Sequence, residues 1–553
     1  MLNLRQLKIK EKAKKTIVLF FIGFLLFLII ILDIILYMYN NYFKNKILTR
    51  INNLELIFTQ NIKISQNESQ IKSKKDTLNI SQFSFNNNSN NYLVLLPGNN
   101  CQNKKLRTLY FPRNNHVRKY DKPNNSFDIN NSRIIPFNYY DQTFYTETQN
   151  EIREDFLKKL GLKLNETFGV HSLYITPYLI NETYENKIKK NLVNRYQKIN
   201  RFFNYYDYVS KSSLYKNYKK MKTLFQDDFD YMFETYSYPE DKIIIFNKFK
   251  NYRLTNYSQN ELWLIKPKLS TCGANIALLK EYSDIKDDYI ITKFLKNPHL
   301  IKGFKYDLRF HGLITSILPL KLYLYNEGLV RISSEKYDYN NLTKLSSYLT
   351  NIALNIKNEK KYIYPNNISN IEDSNLWNFD VFQNYCEKKG YNYTEIFEKV
   401  KDIFIKLVLS IRKKTINYIK KINLHSSNFY HLIGFDIILD NNLKPYLLET
   451  NRRTSLRNDN EAEKYNAYNM IADTLNLIGL RIINKNYNTF YNYAEYEDNF
   501  KEEIEDSLCE LERPRGGYIL IFPLKNNIEK YKKFYLNNIP LEDIEFWKSF
   551  NAV

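Results

Sequence analysis

The segment HLIGFDIILDNNLKPYLLETN at 431–451 restricts the fold more than any other stretch of the chain. Two apolar runs flank Asn441-Asn442, and asparagine tolerates the positive φ of a two-residue hairpin turn, so the segment reads as two antiparallel strands. That turn puts Asp440 opposite Leu443 and Asp436 opposite Leu447. The two-residue period of a strand then gathers Asp436, Leu447, Glu449 and Asn451 on one face. Their neighbours are residues that belong in a core, where two uncompensated carboxylates are costly. A hard cation offsets that cost. Two carboxylates and an amide oxygen suit Mg²⁺, which keeps waters and completes its shell with substrate phosphates, so Asp436, Glu449 and Asn451 are candidate metal ligands.

A second group points the same way. LWLIKPKLSTCGANI at 262–276 reads as a strand ending in Lys266, followed by a loop of small residues that includes Gly273. Backbone N–H groups of such loops surround phosphates while a lysine reaches a phosphate oxygen. Lys305, Asp307 and Arg309 alternate along a strand and share a face, and Arg331 lies on the partner strand. Three cations and a carboxylate on paired central strands are accounted for by a phosphate-rich ligand.

Around these segments the expected strands are 242–246 (KIIIF), 261–267, 274–280, 289–295, 307–315 and 321–333, with a short one within 92–100. Helices are expected near 394–421 and 461–479, and helical spacing of basic and aromatic residues runs from 191 to 225. There is neither a regular βαβ rhythm nor an opening GxGxxG, which favours α+β over a dinucleotide-binding fold. The four cysteines form no CxxC pair and the six histidines no HExxH, which argues against zinc sites. Lys+Arg 81 against Asp+Glu 59 gives a net charge of +22. That field favours acidic protein tails, nucleic acid or anionic lipid, without choosing among them.

At the N-terminus, Ile17 to Tyr39 is an almost unbroken apolar run interrupted by Asp33, long enough for a helix to cross a bilayer. A single transmembrane anchor is therefore expected at 17–39, between a basic arm at 1–16 and an Asn-rich tether at 40–90. Flanking lysines and arginines favour a cytosolic N-terminus with the remainder across the membrane.

The segments 200–222, LWLIKP (262–267), ITKFLKNPHLIKGFKYDLRFHGLIT (291–315), LYLYNEGLVRISSEKY (322–337), YLTN (348–351) and GFDIILDNNLKPYLLETN (434–451) resemble the tubulin tyrosine ligase-like family in order and spacing. The resemblance implies an α+β chain with an ATP-grasp fold, here preceded by the expected membrane helix. Its parts would be an N-terminal portion at 91–240, subdomains at 241–330 and 331–523, and a tail at 524–553. It implies an ATP- and Mg²⁺-dependent ligase that adds an amino acid, glutamate first and glycine next, to the acidic tails of tubulin or microtubules through an acyl phosphate. No nucleic-acid partner is implied, and the catalytic part would face the cytoplasm, against the charge rule, at a ciliary or cytoskeletal membrane. By position, Lys266, Gly273, Lys293, Lys305, Asp307 and Asn351 resemble nucleotide-binding residues, and Lys293 lies at the adenine-side hinge. Arg309 and Arg331 resemble the phosphoryl stabilisers, and Asp436, Glu449 and Asn451 the Mg–ATP ligands. Asn275 replaces a loop glycine, Thr292 a hinge glutamine, and Arg452-Arg453 stand where a proline follows the last asparagine. A catalytically weakened, membrane-tethered microtubule binder is the alternative from another class.

Overall fold

Fourteen consecutive residues, Phe304–Ile317, form the strand on which the site is assembled. The computed structural model describes residues 91–95, 108–111, 113, 134–138, 143–146, 151–165, 171–176, 180–192, 195–256, 260–268, 273–358, 361–364, 371–451, 461–481, 496–536 and 538–552. The contacts divide the chain into residues 1–85, outside the described residues, and a unit from Asn86 to Val553.

The strands form four sheets, taken here in chain order. β1 (Asn91–Leu95), β2 (Thr108–Tyr110) and β3 (Ile134–Asn138) are antiparallel. β4 (Thr143–Thr146), β5 (Lys163–Leu164), β6 (Leu173–Ile175) and β7 (Lys198–Ile199) are parallel. β8 (Thr235–Ser237), β9 (Trp263–Pro267), β10 (Ala277–Leu278) and β11 (Tyr289–Lys293) make a second antiparallel sheet in the order β10-β9-β11-β8. The largest sheet holds β12 (Leu300–Ile301), β13 (Phe304–Ile317), β14 (Leu320–Tyr325), β15 (Leu329–Lys336), β16 (Leu376–Asn378), β17 (His431–Leu439), β18 (Pro445–Asn451) and β19 (Tyr518–Phe522).

β13 is flanked by β15 and then β14 on one edge and by β17 on the other, so its polar residues are central. Tyr306, Leu308, Phe310 and Ile314 pack into the main core with the helices Phe379–Lys389 and Tyr393–Ile422. The second of these buries Val400, Phe404, Leu407 and Ile411 at helical spacing. It starts at Asn392, whose side chain accepts from Glu395 N, and stops at Asn423 in the left-handed conformation. Gly312 lets this helix approach the sheet, because a Cβ there would lie 2.2 Å from Phe404 Cζ. Both groups are buried, so Gly312→Ala is expected to cost about 1–3 kcal/mol through overpacking. Urea denaturation should show a lower midpoint at unchanged slope; an unchanged midpoint would show that the ring relaxes freely.

Several expectations are corrected. KIIIF is not a strand but the start of the helix Lys242–Phe249, which buries Ile245 and Phe249 against Trp263 and Ile291. The 191–225 stretch is one long helix only over Lys211–Phe225, and 321–333 is two strands, β14 and β15. The hairpin loop has three residues, not two. Asp440 Oδ1 accepts from the backbone N–H of Asn442 and Lys444, both at 2.9 Å, and Leu443 takes the left-handed conformation at φ 61°. The carboxylate thus organises a longer turn than the two asparagines alone would make.

The expected transmembrane helix is also corrected: no helix among the described residues is long and apolar enough to cross a membrane. The longest, Tyr393–Ile422, carries lysines and acids along its outer face and buries the other in the core. The run 17–39, the basic arm and the tether lie outside the described residues. Over the described residues the fold class is a mixed chain of helices and sheets with no membrane-crossing helix among them, and the expected single-pass membrane placement and membrane partner find no support there.

Candidate functional site

Two lysines, Lys305 buried and Lys266 half-buried, face each other from different sheets. Lys266 is the penultimate residue of β9 and shares its face with Leu264 and Leu262, which pack on Phe294 and Leu349. Lys305 on β13 has its ammonium 4.4 Å from the centre of the Phe294 ring and 5.7 Å from that of Tyr337. Neither ammonium has a hydrogen-bond acceptor among the described residues. Burial lowers the pKa of Lys266, with Glu449 opposing and Lys211 adding to the shift. Burial also lowers Lys305, to about 7, with Lys266 adding to the shift and Asp307 opposing it. Cations desolvated without an acceptor are a receptor for an anion from outside.

The titration of Lys305 is testable. Between about pH 7 and its unfolded value near 10.5 the unfolded chain holds a proton that the folded lysine lacks, so its contribution to stability falls as pH drops through that window and is flat below it. A bound polyanion restores the charge. ATP binding near pH 8 is therefore expected to take up protons, measured by calorimetry in buffers of different ionisation enthalpy, and Lys305→Met should abolish the uptake. Equal proton linkage in the two proteins would contradict this.

Beside the lysines, four charges close on one another across three strands. Asp307 on β13 pairs in register with Arg331 on β15, and Arg309 with Asp436 on β17. Arg331 Nε donates to Asp307 Oδ1 at 3.0 Å and its Nη2 to Asp307 Oδ2; the same Nη2 lies 2.7 Å from Asp436 Oδ2. Arg309 Nε donates to Asp436 Oδ1 and its Nη2 to Oδ2 at 3.1 Å. All four side chains are buried. Burial alone would raise the pKa of Asp436, but Arg309 and Arg331 outweigh it and hold the carboxyl well below the ordinary range. Burial likewise opposes the charge of Arg331, and Asp307 and Asp436 override it.

Glu449 and Asn451 reach this cluster through a bulge. From Leu439 to Ile437 the pairing runs regularly to Leu447, then skips Leu448, so that Asp436 sits opposite Glu449. The extra residue flips Glu449 to the face of Asp436 while Leu447 stays in the core. The sequence argument reached the same convergence from a wrong turn length, because the longer loop and the bulge offset each other. Asn451 Nδ2 donates to Asp436 Oδ2 at 3.2 Å. Glu449 is about one-third exposed, at 30 %, with Lys211 Nζ 4.0 Å from its Oε2.

Gly273, at φ 76°, packs so closely on Asn351 that a Cβ would lie 2.7 Å from the amide oxygen, which joins the loop to the YLTN segment. Asn275 is left-handed at φ 57°, doing what the glycine it replaces would do. Lys293 is placed elsewhere. It pairs with Trp263 on the opposite face of the sheet from Lys266, is 41 % exposed, and binds Glu261 at 2.5 Å. Thr292 pairs with Leu264 on the Lys266 side of the sheet, and Arg452 and Arg453 lie outside the described residues. Lys211 was not foreseen, because it begins a helix whose lysines read as a solvated surface.

Among the described residues no three His, Cys, Asp or Glu side chains gather as a metal cage. The donors that fit Mg²⁺ are instead Asp436, Glu449 and the Asn451 amide oxygen. Such a sparse all-oxygen set suits a cation that keeps waters and shares substrate phosphates.

The family model for the tubulin-tyrosine ligase family matches residues 174–489. The chain is 28 % identical over 370 residues to a probable beta-tubulin polyglutamylase of Tetrahymena thermophila, covering 62 % of this chain and 30 % of that protein. It is 28 % identical over 363 residues to human tubulin monoglutamylase TTLL4, covering 65 % and 29 %. Against mouse tubulin polyglutamylase TTLL6 the figures are 29 % over 396 residues, 67 % and 46 %. The chain thus spans from under a third to under half of the length of these relatives.

Proposed function

This chain belongs to the tubulin-tyrosine ligase family, and from that premise we propose that it is an ATP-dependent ligase that adds glutamate to the acidic tails of tubulin. The observation that carries the reading is the pair of lysines without acceptors, Lys305 buried and Lys266 half-buried, beside a charge-paired arginine cluster. Polyphosphate supplies the missing anions. Lys266 and Lys305 take the phosphates of ATP, the Gly273 loop and Asn351 close over them, and Asp436, Glu449 and Asn451 hold Mg²⁺. When bound, Mg²⁺ neutralises charge on the phosphates and orients them.

An acceptor carboxylate oxygen attacks the γ-phosphorus, and the bond to the ADP oxygen breaks. The glutamate amine then attacks the carbonyl carbon of the acyl phosphate, forming the amide as phosphate leaves and a proton passes to solvent. Arg309 and Arg331 stabilise the equatorial oxygens during transfer, where a planar fork serves better than an ammonium. Their carboxylate partners fix both forks in advance, so little reorganisation accompanies reaction. The relatives named as glutamylases support glutamate as the donor, and the +22 net charge supports an acidic acceptor. The test is incorporation of labelled glutamate into tubulin by the full chain with Mg²⁺ and ATP, with labelled glycine in parallel. Glutamate transfer that requires ATP supports the reading; transfer of glycine alone makes the chain a glycine ligase, and transfer of neither leaves a nucleotide-binding relative.

A further inference from the structure

Seven large apolar side chains are exposed among the described residues, and three of them, Ile243, Ile244 and Phe246, lie on one helix of eight residues, Lys242–Phe249. Single exposed apolar groups need no explanation, but a cluster of them does. The helix already has its core contacts. Ile245 and Phe249 pack on Trp263, Ile265 and Ile291, on the face of the small sheet away from Lys266. At helical spacing Ile243 then points outward, flanked by Ile244 and Phe246. Ile243 is 78 % exposed, and the Phe246 ring, 48 % exposed, has Tyr282 at its edge with centroids 5.7 Å apart.

The surroundings indicate what covers this face. From Lys242 to Lys250 the sequence has three lysines and no acid. Lys248 binds Glu234 at 2.7 Å, whereas Lys242 and Lys250 have no acidic partner among the described residues. The Lys250 ammonium stands 5.7 Å from the centre of the Phe246 ring. An apolar centre with a basic rim is complementary to a protein surface with an apolar centre and an acidic rim. A second copy of this chain would set lysines against lysines. A lipid surface would accept the lysines but gain little from three side chains, since the other apolar residues of the helix are committed to the core. Resting on the reading of the chain as a tubulin ligase, we infer that the outer face of the helix Lys242–Phe249 docks the folded body of the acceptor protein, apart from the tail that enters the site. The contact lies on the far side of the sheet from Lys266, so it adds affinity for the acceptor without touching the reacting groups.

The test compares the full chain with its Ile243→Asp and Lys250→Glu variants on microtubules and on an isolated tail peptide. Both substitutions fall on exposed side chains, so the fold is expected to stand. KM for microtubules should rise about tenfold or more in Ile243→Asp, which loses apolar burial and gains a charge that an acidic rim repels. Lys250→Glu should raise it severalfold. In both variants kcat on microtubules, and both constants on the peptide, should stay at wild-type values. Co-sedimentation with microtubules should weaken in parallel, without need of ATP. Unchanged KM and co-sedimentation overturn the inference, as does an equal loss on microtubules and peptide, which would place the effect in the site. Flotation with anionic vesicles, or a dimer in sedimentation equilibrium, that Ile243→Asp abolishes while microtubule binding is unchanged would assign the face to lipid or to a second copy instead. If wild type transfers no glutamate the ligase reading falls, and co-sedimentation of the variants still decides the docking face.

Discussion

Replacing Asp436 by Asn is expected to destabilise the fold by about 3–5 kcal/mol, the cost of leaving buried charge unpaired. Both hydrogen bonds found for the Arg309 guanidinium end on Asp436, and Arg331 shares the same oxygen. An amide offers one acceptor oxygen and no charge to two buried cations. Denaturation should show a large fall in midpoint, with glutamate transfer lost as well. A variant as stable as wild type would mean that water or another group satisfies Arg309.

Glu449→Gln should do the opposite, although the two carboxylates face each other across one rung of the hairpin. Glu449 is one-third exposed and makes no close ion pair, with Lys211 at 4.0 Å. Stability should therefore stay within about 0.5 kcal/mol of wild type. Transfer should fall on the order of 10²-fold or more, because a neutral amide replaces a charge that faces the cation during phosphoryl transfer. Wild-type turnover in this variant would remove Glu449 from the metal set. Loss of stability equal to that of Asp436→Asn would mean that the carboxylate serves the fold.

The contrast between these neighbours also marks how far the sequence could be read. Alternation along β13 put Lys305, Asp307 and Arg309 on one face, because a strand has a fixed period and its flanking residues are apolar. That Arg309 and Arg331 would be locked by Asp436 and Asp307 follows from the register of three strands that are distant in sequence, which no local pattern encodes. The hairpin shows the same limit. Its alternation was legible, but the Asp440 turn and the Leu448 bulge are set by side-chain hydrogen bonds and core packing. KIIIF misled because β-branched residues favour strands, yet Ile245 and Phe249, four apart, bury one helix face. Lys293 misled because alternation within ITKFL does not say which face of the sheet meets Lys266; its pairing with Trp263 decides that.

The most direct measurement follows the acceptor oxygen. A tubulin-tail peptide whose side-chain carboxylates carry ¹⁸O would be incubated with the full chain, ATP, Mg²⁺ and glutamate, and the released phosphate analysed by mass spectrometry. Acyl-phosphate chemistry at this site predicts one ¹⁸O delivered to phosphate for each glutamate joined. Release of phosphate without label, or without any glutamate joined, would contradict it.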